Sequence, residues 1–175
     1  MRDGSEEEYV DYVTARIPAL RRLAYLLAGD EHRADDLVQQ TITTLYVKWR
    51  RACTATHLDR YVRTMLVRAY LDERRLAWAR VRLVRETPER TAPGQDAGVE
   101  DRQVLRAALA QVPRRQQAVL VLRFFYDLPV DEVAATLGCT SGTVKSQTSR
   151  GLATLRRLLG ERELAGATYE GSRSR

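Results

Sequence analysis

Apolar residues recur at the three- and four-residue spacing of a helix along almost the whole chain. The clearest run ends at Gly29-Asp30 and consists of Ile17, Leu20, Leu23, Ala24 and Leu27. The pattern predicts helices over residues 6–16, 17–28, 31–50, 57–83, 100–111 and 114–126. No segment alternates apolar and polar residues in the manner of a strand, so the predicted fold class is all-α.

The helical pattern fails over residues 84–100, which contain two prolines, two glycines and few large apolar side chains. Such a composition is typical of a flexible linker. We therefore expect two small helical bundles, one in residues 1–83 and one in residues 101–160. The polar residues 161–175 are expected to form a disordered tail.

The segment from Leu128 to Arg150 predicts a short helix, a tight turn and a second helix. The apolar stripe of the first helix consists of Val130, Val133, Ala134 and Leu137. Gly138 supplies the permissive backbone that ends a helix, and Thr140 or Ser141 can cap the next one. A compact helix pair with donors and positive charge on its second helix is typical of a helix-turn-helix that reads the DNA major groove.

The second helix of this pair carries most of the candidate DNA contacts. No carboxylate occurs between Thr140 and Leu159, whereas a face that was merely solvated would usually mix both charge signs. An ordinary helical hairpin is the alternative to a DNA reader. The candidate DNA contacts are Arg114, Thr140, Ser141, Thr143, Lys145, Ser146 and Arg150.

The overall charge agrees with a nucleic-acid partner. Among 175 residues, 29 are Lys or Arg and 23 are Asp or Glu, which leaves a net charge of +6. An excess of positive charge favours a polyanion as the partner.

The cysteines and histidines give no sign of a metal site, a disulfide or a catalytic centre. Cys53 and Cys139 stand far apart, and His32 and His57 are isolated. We therefore expect no cofactor and no enzymatic activity, and the free thiols fit a reducing cytoplasm. The acidic start of the chain lacks the apolar core of a signal peptide, and no apolar run has membrane-spanning length, so no membrane insertion is expected.

Two signatures, one in each half of the chain, carry a family resemblance. The first is Gly29-Asp30 followed by ADDLVQ, within LRRLAYLLAGDEHRADDLVQQTITTLYVKW. The second is TVKS with Arg150, within LRAALAQVPRRQQAVLVLRFFYDLPVDEVAATLGCTSGTVKSQTSRGLATLRRLL. Over roughly residues 5 to 160 the chain resembles a bacterial RNA polymerase sigma factor of the sigma-70 superfamily. It is most similar to the two-domain extracytoplasmic-function type, in its actinobacterial, sigma-E-like branch.

The resemblance implies a division of labour between the two bundles. A sigma-2-like front bundle would dock on core RNA polymerase and would recognise and melt the −10 promoter element. A sigma-4-like back bundle would read the −35 element through the residues selected above. The implied partners are promoter DNA and core polymerase, at its beta-prime clamp helices and its beta flap tip. An anti-sigma protein is a further partner that the resemblance leaves open.

The resemblance also assigns residues to these surfaces. Core docking falls to Asp35, Asp36 and Gln40, with Leu37 as the apolar anchor, and flap-tip packing to Phe124, Phe125 and Leu158. The −10 contacts would be Trp49, Arg51, His57, Tyr61, Arg63, Arg68, Arg74 and Arg75. The family commonly has Asn at the position of Arg68, four residues before the matching Asp72. This departure puts the usual base contact from that position in doubt.

Two other functions are alternatives to this interpretation of the sequence. A stand-alone helix-turn-helix repressor or activator would bind promoter DNA as a dimer, without polymerase. A small DNA recombinase would need a nucleophile beside clustered arginines, and Tyr70 near Arg68, Arg74 and Arg75 is the one weak candidate.

Overall fold

The computed structural model describes the backbone of residues 3–80 and 97–171 and the side chains of residues 5–73 and 102–160. All regular structure in these ranges is helical, which confirms the predicted fold class. The helices are α1 (Asp3–Ala28), α2 (Glu31–Val47), α3 (Trp49–Ala52), α4 (Leu58–Arg80), α5 (Ala97–Leu109), α6 (Arg114–Leu120), α7 (Val130–Leu137) and α8 (Ser141–Gly171), with a π-helical turn at Val121–Phe125 between α6 and α7. None of the helices in the described residues is both long and apolar enough to cross a bilayer.

Helices α1, α2 and α4 pack against one another and form the front unit. Leu23 and Leu27 of α1, Leu45 of α2 and Leu66 of α4 are fully buried. These residues recur on one face of each helix, so the sequence periodicity predicts their burial correctly. Burying a leucine side chain contributes about 1.5–3 kcal/mol, and this stabilisation holds the three helices together.

Helix α1 is continuous, although two helices were predicted in its place. Pro18 lies inside it, where the missing N–H and the ring disfavour a helix by about 3 kcal/mol. Pro18 is exposed, so water can donate a hydrogen bond to the carbonyl four residues earlier, which has no N–H donor from the proline. Packing on both sides of the proline offsets the penalty: Leu20 is buried after it, and the Tyr9 hydroxyl before it donates to the Ile42 carbonyl at 2.8 Å.

The predicted helix 31–50 is divided in two by Lys48. The Lys48 N–H is shared between the carbonyls of Thr44 at 3.2 Å and Leu45 at 3.0 Å, which is a common way for a helix to end. The start of α2 is fixed by Asp30, whose carboxylate accepts from the Arg33 N–H at 2.8 Å. The short helix α3 is therefore separate from α2, and the apolar pattern alone does not reveal this boundary.

The back unit is built around the contact of α6 with α8. Gly151 of α8 lies directly on α6, where an added Cβ would come within 3.1 Å of Leu120 Cδ1. Gly138 ends α7 with a φ of +62°, and the Cys139 N–H donates to the Ala134 carbonyl at 3.0 Å. This is the Schellman arrangement expected of a glycine that terminates a helix.

Three helix boundaries differ from the prediction. The expected helix 114–126 changes at Val121 into a π-helical turn, in which the Tyr126 N–H donates to the Val121 carbonyl at 3.2 Å. Helix α5 begins at Ala97 rather than residue 100. The prediction of a disordered tail is wrong for residues 161–171, because α8 continues to Gly171 through helix-forming Glu, Arg, Leu and Ala residues. Most of the predicted linker lies outside the described residues.

Candidate nucleic-acid and protein interfaces

The start of α8 is fixed by two hydroxyl groups. Thr140 caps the helix: its Oγ1 accepts from the Thr143 N–H at 3.2 Å and lies 2.9 Å from Thr143 Oγ1. The Ser141 hydroxyl donates to Asp131 Oδ1 of α7 at 2.5 Å. These bonds orient α8 relative to α7. They also mean that Ser141 cannot give the same proton to a phosphate while it is bonded to Asp131.

The outer face of α8 has a small centre and cationic flanks. Successive residues of a helix are rotated by about 100°, which places Lys145 and Arg150 about 140° apart. The exposed residues between these directions are Gly142, Ser146, Ser149 and Ala153. Lys145 and Arg156 lie along one side of this ridge, and Arg150 and Arg157 along the other. A helix of this shape fits between the two phosphate walls of a major groove.

Lys145 borders an open cavity of about 340 Å³ on its side of α8, together with Arg123, Ser149 and Arg156. The Arg123 Nη1 group donates to the Leu128 carbonyl at 2.7 Å, and its Nε is buried without a hydrogen-bond partner among the described residues. Arg114 is half-buried at the first position of α6. Ser149 and Arg156 were not among the predicted DNA contacts, although their helical spacing from Lys145 places them on the same side of α8.

A second, larger cavity lies in the front unit and has a volume of about 590 Å³. Three of the residues predicted to contact the −10 element line it together: His57, Tyr61 and Arg68. The other lining residues are Lys48, Ala55, Arg60, Thr64, Met65, Ala69 and Asp72. Their exposure is mixed: Arg68 and Asp72 are exposed, whereas Arg60 and Tyr61 are half-buried.

The other predicted −10 residues do not border this cavity. Arg51 is exposed on α3, and Arg63 is half-buried, with its Nη1 enclosed in the protein. Trp49 is only 6% exposed, and its ring packs edge-on against Tyr9 at a centroid distance of 5.4 Å. Trp49 was predicted to be a −10 contact, but its ring belongs to the core and offers no free face to a base. The side chains of Arg74 and Arg75 lie outside the described ones.

The predicted polymerase-docking residues on α2 divide into exposed and internal groups. Asp36 and Gln40 are exposed. Asp35 forms a two-pronged ion pair with Arg21 of α1, at 2.8 and 3.0 Å. Leu37 was predicted to be the apolar anchor, but it is 4% exposed and lies among the core residues of the front unit, so it offers little surface to a partner.

Apolar residues that the sequence analysis did not select occupy the same helix. Tyr46 is 54% and Val47 is 79% exposed near the end of α2. Their exposure could have been predicted from their position around the helix, because they lie off the inner stripe formed by Leu37, Thr41 and Leu45. In the back unit Phe124 and Phe125, predicted for the flap tip, are exposed by 56% and 48%, and Leu158 is half-buried.

The described residues offer little support for a catalytic centre. No cluster of three or more His, Cys, Asp or Glu side chains in the described ranges is arranged to hold a metal ion. Tyr70, the nucleophile considered for a recombinase, is 2% exposed inside the front unit. That burial removes the hydroxyl from any DNA strand and counts against the recombinase alternative.

Comparisons with known proteins agree with both halves of this description. Residues 102–155 match the family described as Sigma-70, region 4, and residues 13–58 match the Sigma2 domain of PhyR. The RNA polymerase sigma-E factor of Streptomyces avermitilis is 33% identical over 177 residues, covering 97% of this chain and 95% of that protein. The ECF RNA polymerase sigma factor EcfG of Rhodopseudomonas palustris is 31% identical over 152 residues, and the match covers 85% of this chain and 83% of that protein.

A solved structure has the same fold over most of the chain. The sigma factor RpoE of Bartonella quintana, crystallised in complex with the anti-sigma factor NepR, superimposes with a TM-score of 0.72 at 26% identity, covering 88% of this chain and 98% of that one. The identity and coverage of the relatives, the two matched families and the shared fold lead to one conclusion. The chain belongs to the ECF family of RNA polymerase sigma factors, which are transcription initiation factors that act with RNA polymerase at promoters.

Proposed function

We propose that the two units read the two elements of one promoter and that the front unit also holds the polymerase. The observation that carries the proposal is the outer face of α8, which has no carboxylate from Thr140 to Leu159 and has cations on both sides of a small ridge. This face suits the −35 element. The front cavity, with its cations and aromatic ring, suits the unpaired strand of the −10 element.

On α8, the cations and the hydroxyls have different tasks. Lys145 and Arg150 lie on opposite flanks, so each contacts a phosphate wall of the groove and sets the position of the helix. Ser146 and Ser149 lie nearer the centre, where hydroxyl groups reach base edges. Thr140 and Thr143 act at the start of the helix, where backbone N–H groups and hydroxyls bind phosphate.

In the front unit, melting is driven by binding. Extruding a base costs a few kcal/mol in lost stacking and pairing. Lys48 and Arg60 at the cavity attract the backbone of the separated strand, and the half-buried Tyr61 offers a face for stacking. Because duplex DNA cannot place a base in this cavity, these contacts favour the open state.

The polymerase surface is the exposed face of α2. Asp36 and Gln40 provide the polar contacts to the beta-prime clamp helices, and Tyr46 and Val47 provide the exposed apolar area that Leu37 lacks. Phe124 and Phe125 give the back unit a separate apolar surface for the beta flap tip. The complex of the Bartonella quintana sigma factor with NepR supports an anti-sigma protein as a further partner of this chain.

Transcription from a genomic fragment library, with purified core polymerase and this chain, tests the proposal. We expect a restricted set of start sites that share two separated elements and that need both proteins. Start sites that are the same without the chain would contradict the proposal. Tight, specific promoter binding by the chain alone would instead favour the stand-alone regulator.

A further inference from the structure

The cavity of the front unit contains one feature that a pure phosphate site would lack. Among the described residues that line it, Asp72 is the only carboxylate, and the cations are Lys48, Arg60 and Arg68. A carboxylate repels phosphate, so it weakens a cavity that serves only to attract the DNA backbone. Asp72 is therefore expected to face a group that donates hydrogen bonds, and in DNA those groups are on the bases.

Arg68 and Asp72 are placed to act together. They lie one turn apart on α4, where side chains at i and i+4 are neighbours on one face. Both are exposed, and neither has an ion pair or hydrogen bond with another described residue. An arginine that precedes an acid by four residues is also in the weaker order for a helical ion pair. The pair thus presents the guanidinium N–H donors of Arg68 beside the two acceptor oxygens of the Asp72 carboxylate.

The four bases fit this arrangement unequally. Guanine presents two adjacent acceptors, O6 and N7, and two adjacent donors, N1–H and the N2 amino group. Cytosine offers one amino donor, adenine offers one amino donor, and thymine has a single N–H between two carbonyls. Only guanine can therefore form paired bonds with an arginine and with a carboxylate at the same time.

We propose that this cavity takes an unpaired guanine of the −10 element, with Arg68 donating to O6 and N7 and Asp72 accepting from N1 and N2. The inference rests on the proposed function and adds the identity of the base. The Tyr61 ring stacks on the base, and Lys48 and Arg60 hold the adjoining phosphates. Arg68 is then a specificity-determining residue rather than one more backbone contact.

Selection with the complete holoenzyme tests the proposal. Core polymerase carrying this chain is mixed with fork-junction DNA whose −10 positions are randomised, and the bound DNA is sequenced. We expect one strictly selected guanine on the non-template strand, preferred roughly 5- to 150-fold over the other bases. In R68A and D72N holoenzymes that preference should fall at the same position and at no other.

Modified bases assign each edge to its residue. Replacing the selected guanine by 7-deazaguanine removes N7, and replacing it by inosine removes the N2 amino group. The first change should weaken binding to the wild type and not to R68A, and the second should weaken binding to the wild type and not to D72N. R68K keeps the charge but not the two-pronged geometry, so it should lose the preference for guanine while it retains overall affinity.

The controls separate the two levels of the inference. R22A removes an exposed arginine of α1, outside the cavity, and should select the same DNA as the wild type. A holoenzyme that does not form, or that selects no −10 element, would refute the proposed function. A holoenzyme that selects an element with another base in the sensitive position, or whose guanine preference survives R68A, would overturn the guanine assignment alone.

Discussion

At the scale of single residues, burial decides which side chains can reach a partner. Trp49 and Leu37 were assigned to partner surfaces, but both are large apolar side chains that neighbouring helices cover. Asp36, Gln40, Lys145 and Arg150 lie where charge and helical phase predict. Phase identifies the side of a helix that faces the core, but only the fold reveals which residues near its edge another helix covers.

Tyr12 offers a test of a contact that the sequence did not suggest. Its hydroxyl donates to Asp59 Oδ1 at 2.9 Å, and Arg16 pairs with the same carboxylate at 2.7 Å. Burial, together with this bond and the Asp59 charge, raises the pKa of Tyr12 above its usual value of 10.0. At neutral pH we expect Y12F to lower the free energy of unfolding by about 1 kcal/mol.

The pH dependence of this effect has a definite sign. The unfolded chain ionises Tyr12 near pH 10, whereas the folded chain keeps the proton to higher pH. The stabilisation is therefore complete below about pH 10 and is lost as the pH rises through the folded pKa. Urea titrations of wild type and Y12F at neutral and alkaline pH should show a shrinking difference. A difference that stays constant into alkaline solution would show that folding does not raise the pKa of Tyr12.

At the scale of helices, periodicity predicted which segments are helical better than where each helix begins and ends. The continuous α1, the break at Lys48 and the π-helical turn all differ from the predicted boundaries. Each difference depends on contacts with other helices or on a single shared N–H. The pattern of apolar residues records neither kind of contact. Gly138 and Thr140 were predictable, because a positive φ and a helix cap have specific residue preferences.

Gly151 is expected to stabilise the contact of α6 and α8, because it lets the two helices approach closely. An added methyl group would come within 3.1 Å of Leu120 Cδ1 and 3.3 Å of Gln116 Cβ, and Leu120 is itself 2% exposed. Overpacking of about 1–3 kcal/mol should exceed the helix-propensity gain of about 1 kcal/mol. Denaturant unfolding should therefore show G151A to be less stable than the wild type.

Gly142 provides the matched control on the same helix. The nearest atom to an added Cβ is Thr140 Oγ1, at 3.8 Å, so alanine fits without displacement. We expect G142A to be as stable as the wild type or more stable, because alanine favours a helix. Equal changes in G142A and G151A would show that α6 yields to the extra methyl group.

At the scale of the whole molecule, the two sequence signatures were enough to predict the family, and the comparisons confirmed it. They predicted less about the surfaces. The front cavity combines residues before α4 with residues along its first four turns. His57, Tyr61, Arg68 and Asp72 share one face of the predicted helix 57–83, but their grouping with Lys48 and Ala55 becomes visible only in the folded chain. The polymerase surface that we propose on α2 likewise depends on the structure, because Tyr46 and Val47 are exposed there and Leu37 is buried.

The proposed division of roles predicts that substitutions in the two units have separable effects. D36K in the full chain should weaken binding to core polymerase, because it reverses an exposed charge of the docking face without breaking the Arg21–Asp35 pair. K145A and R150A should leave core affinity unchanged, but each should reduce the salt dependence of promoter binding by about one phosphate contact. Fluorescence titrations against core enzyme and against promoter DNA measure the two quantities.

D11K is the matched control for D36K, since Asp11 is an exposed acid on α1 that we assign to no surface. It should bind core polymerase like the wild type. A D36K variant with unchanged core affinity would remove Asp36 from the docking face. Loss of core affinity in K145A or R150A would contradict the separation of the two surfaces.

The unbroken first helix makes the opening residues of the chain more important than their acidic composition suggests. Tyr9 and Tyr12 lie against Trp49, the first residue of α3, and the residues on either side of α3, Lys48 and Ala55, border the front cavity. In a protein shortened to begin at Val13, the indole of Trp49 would be exposed to water and α3 would lose its packing against Tyr9 and Tyr12. Proteolytic removal of residues 1–12 should therefore impair the proposed melting of the −10 element, while the proposed binding of α8 to duplex DNA should be retained.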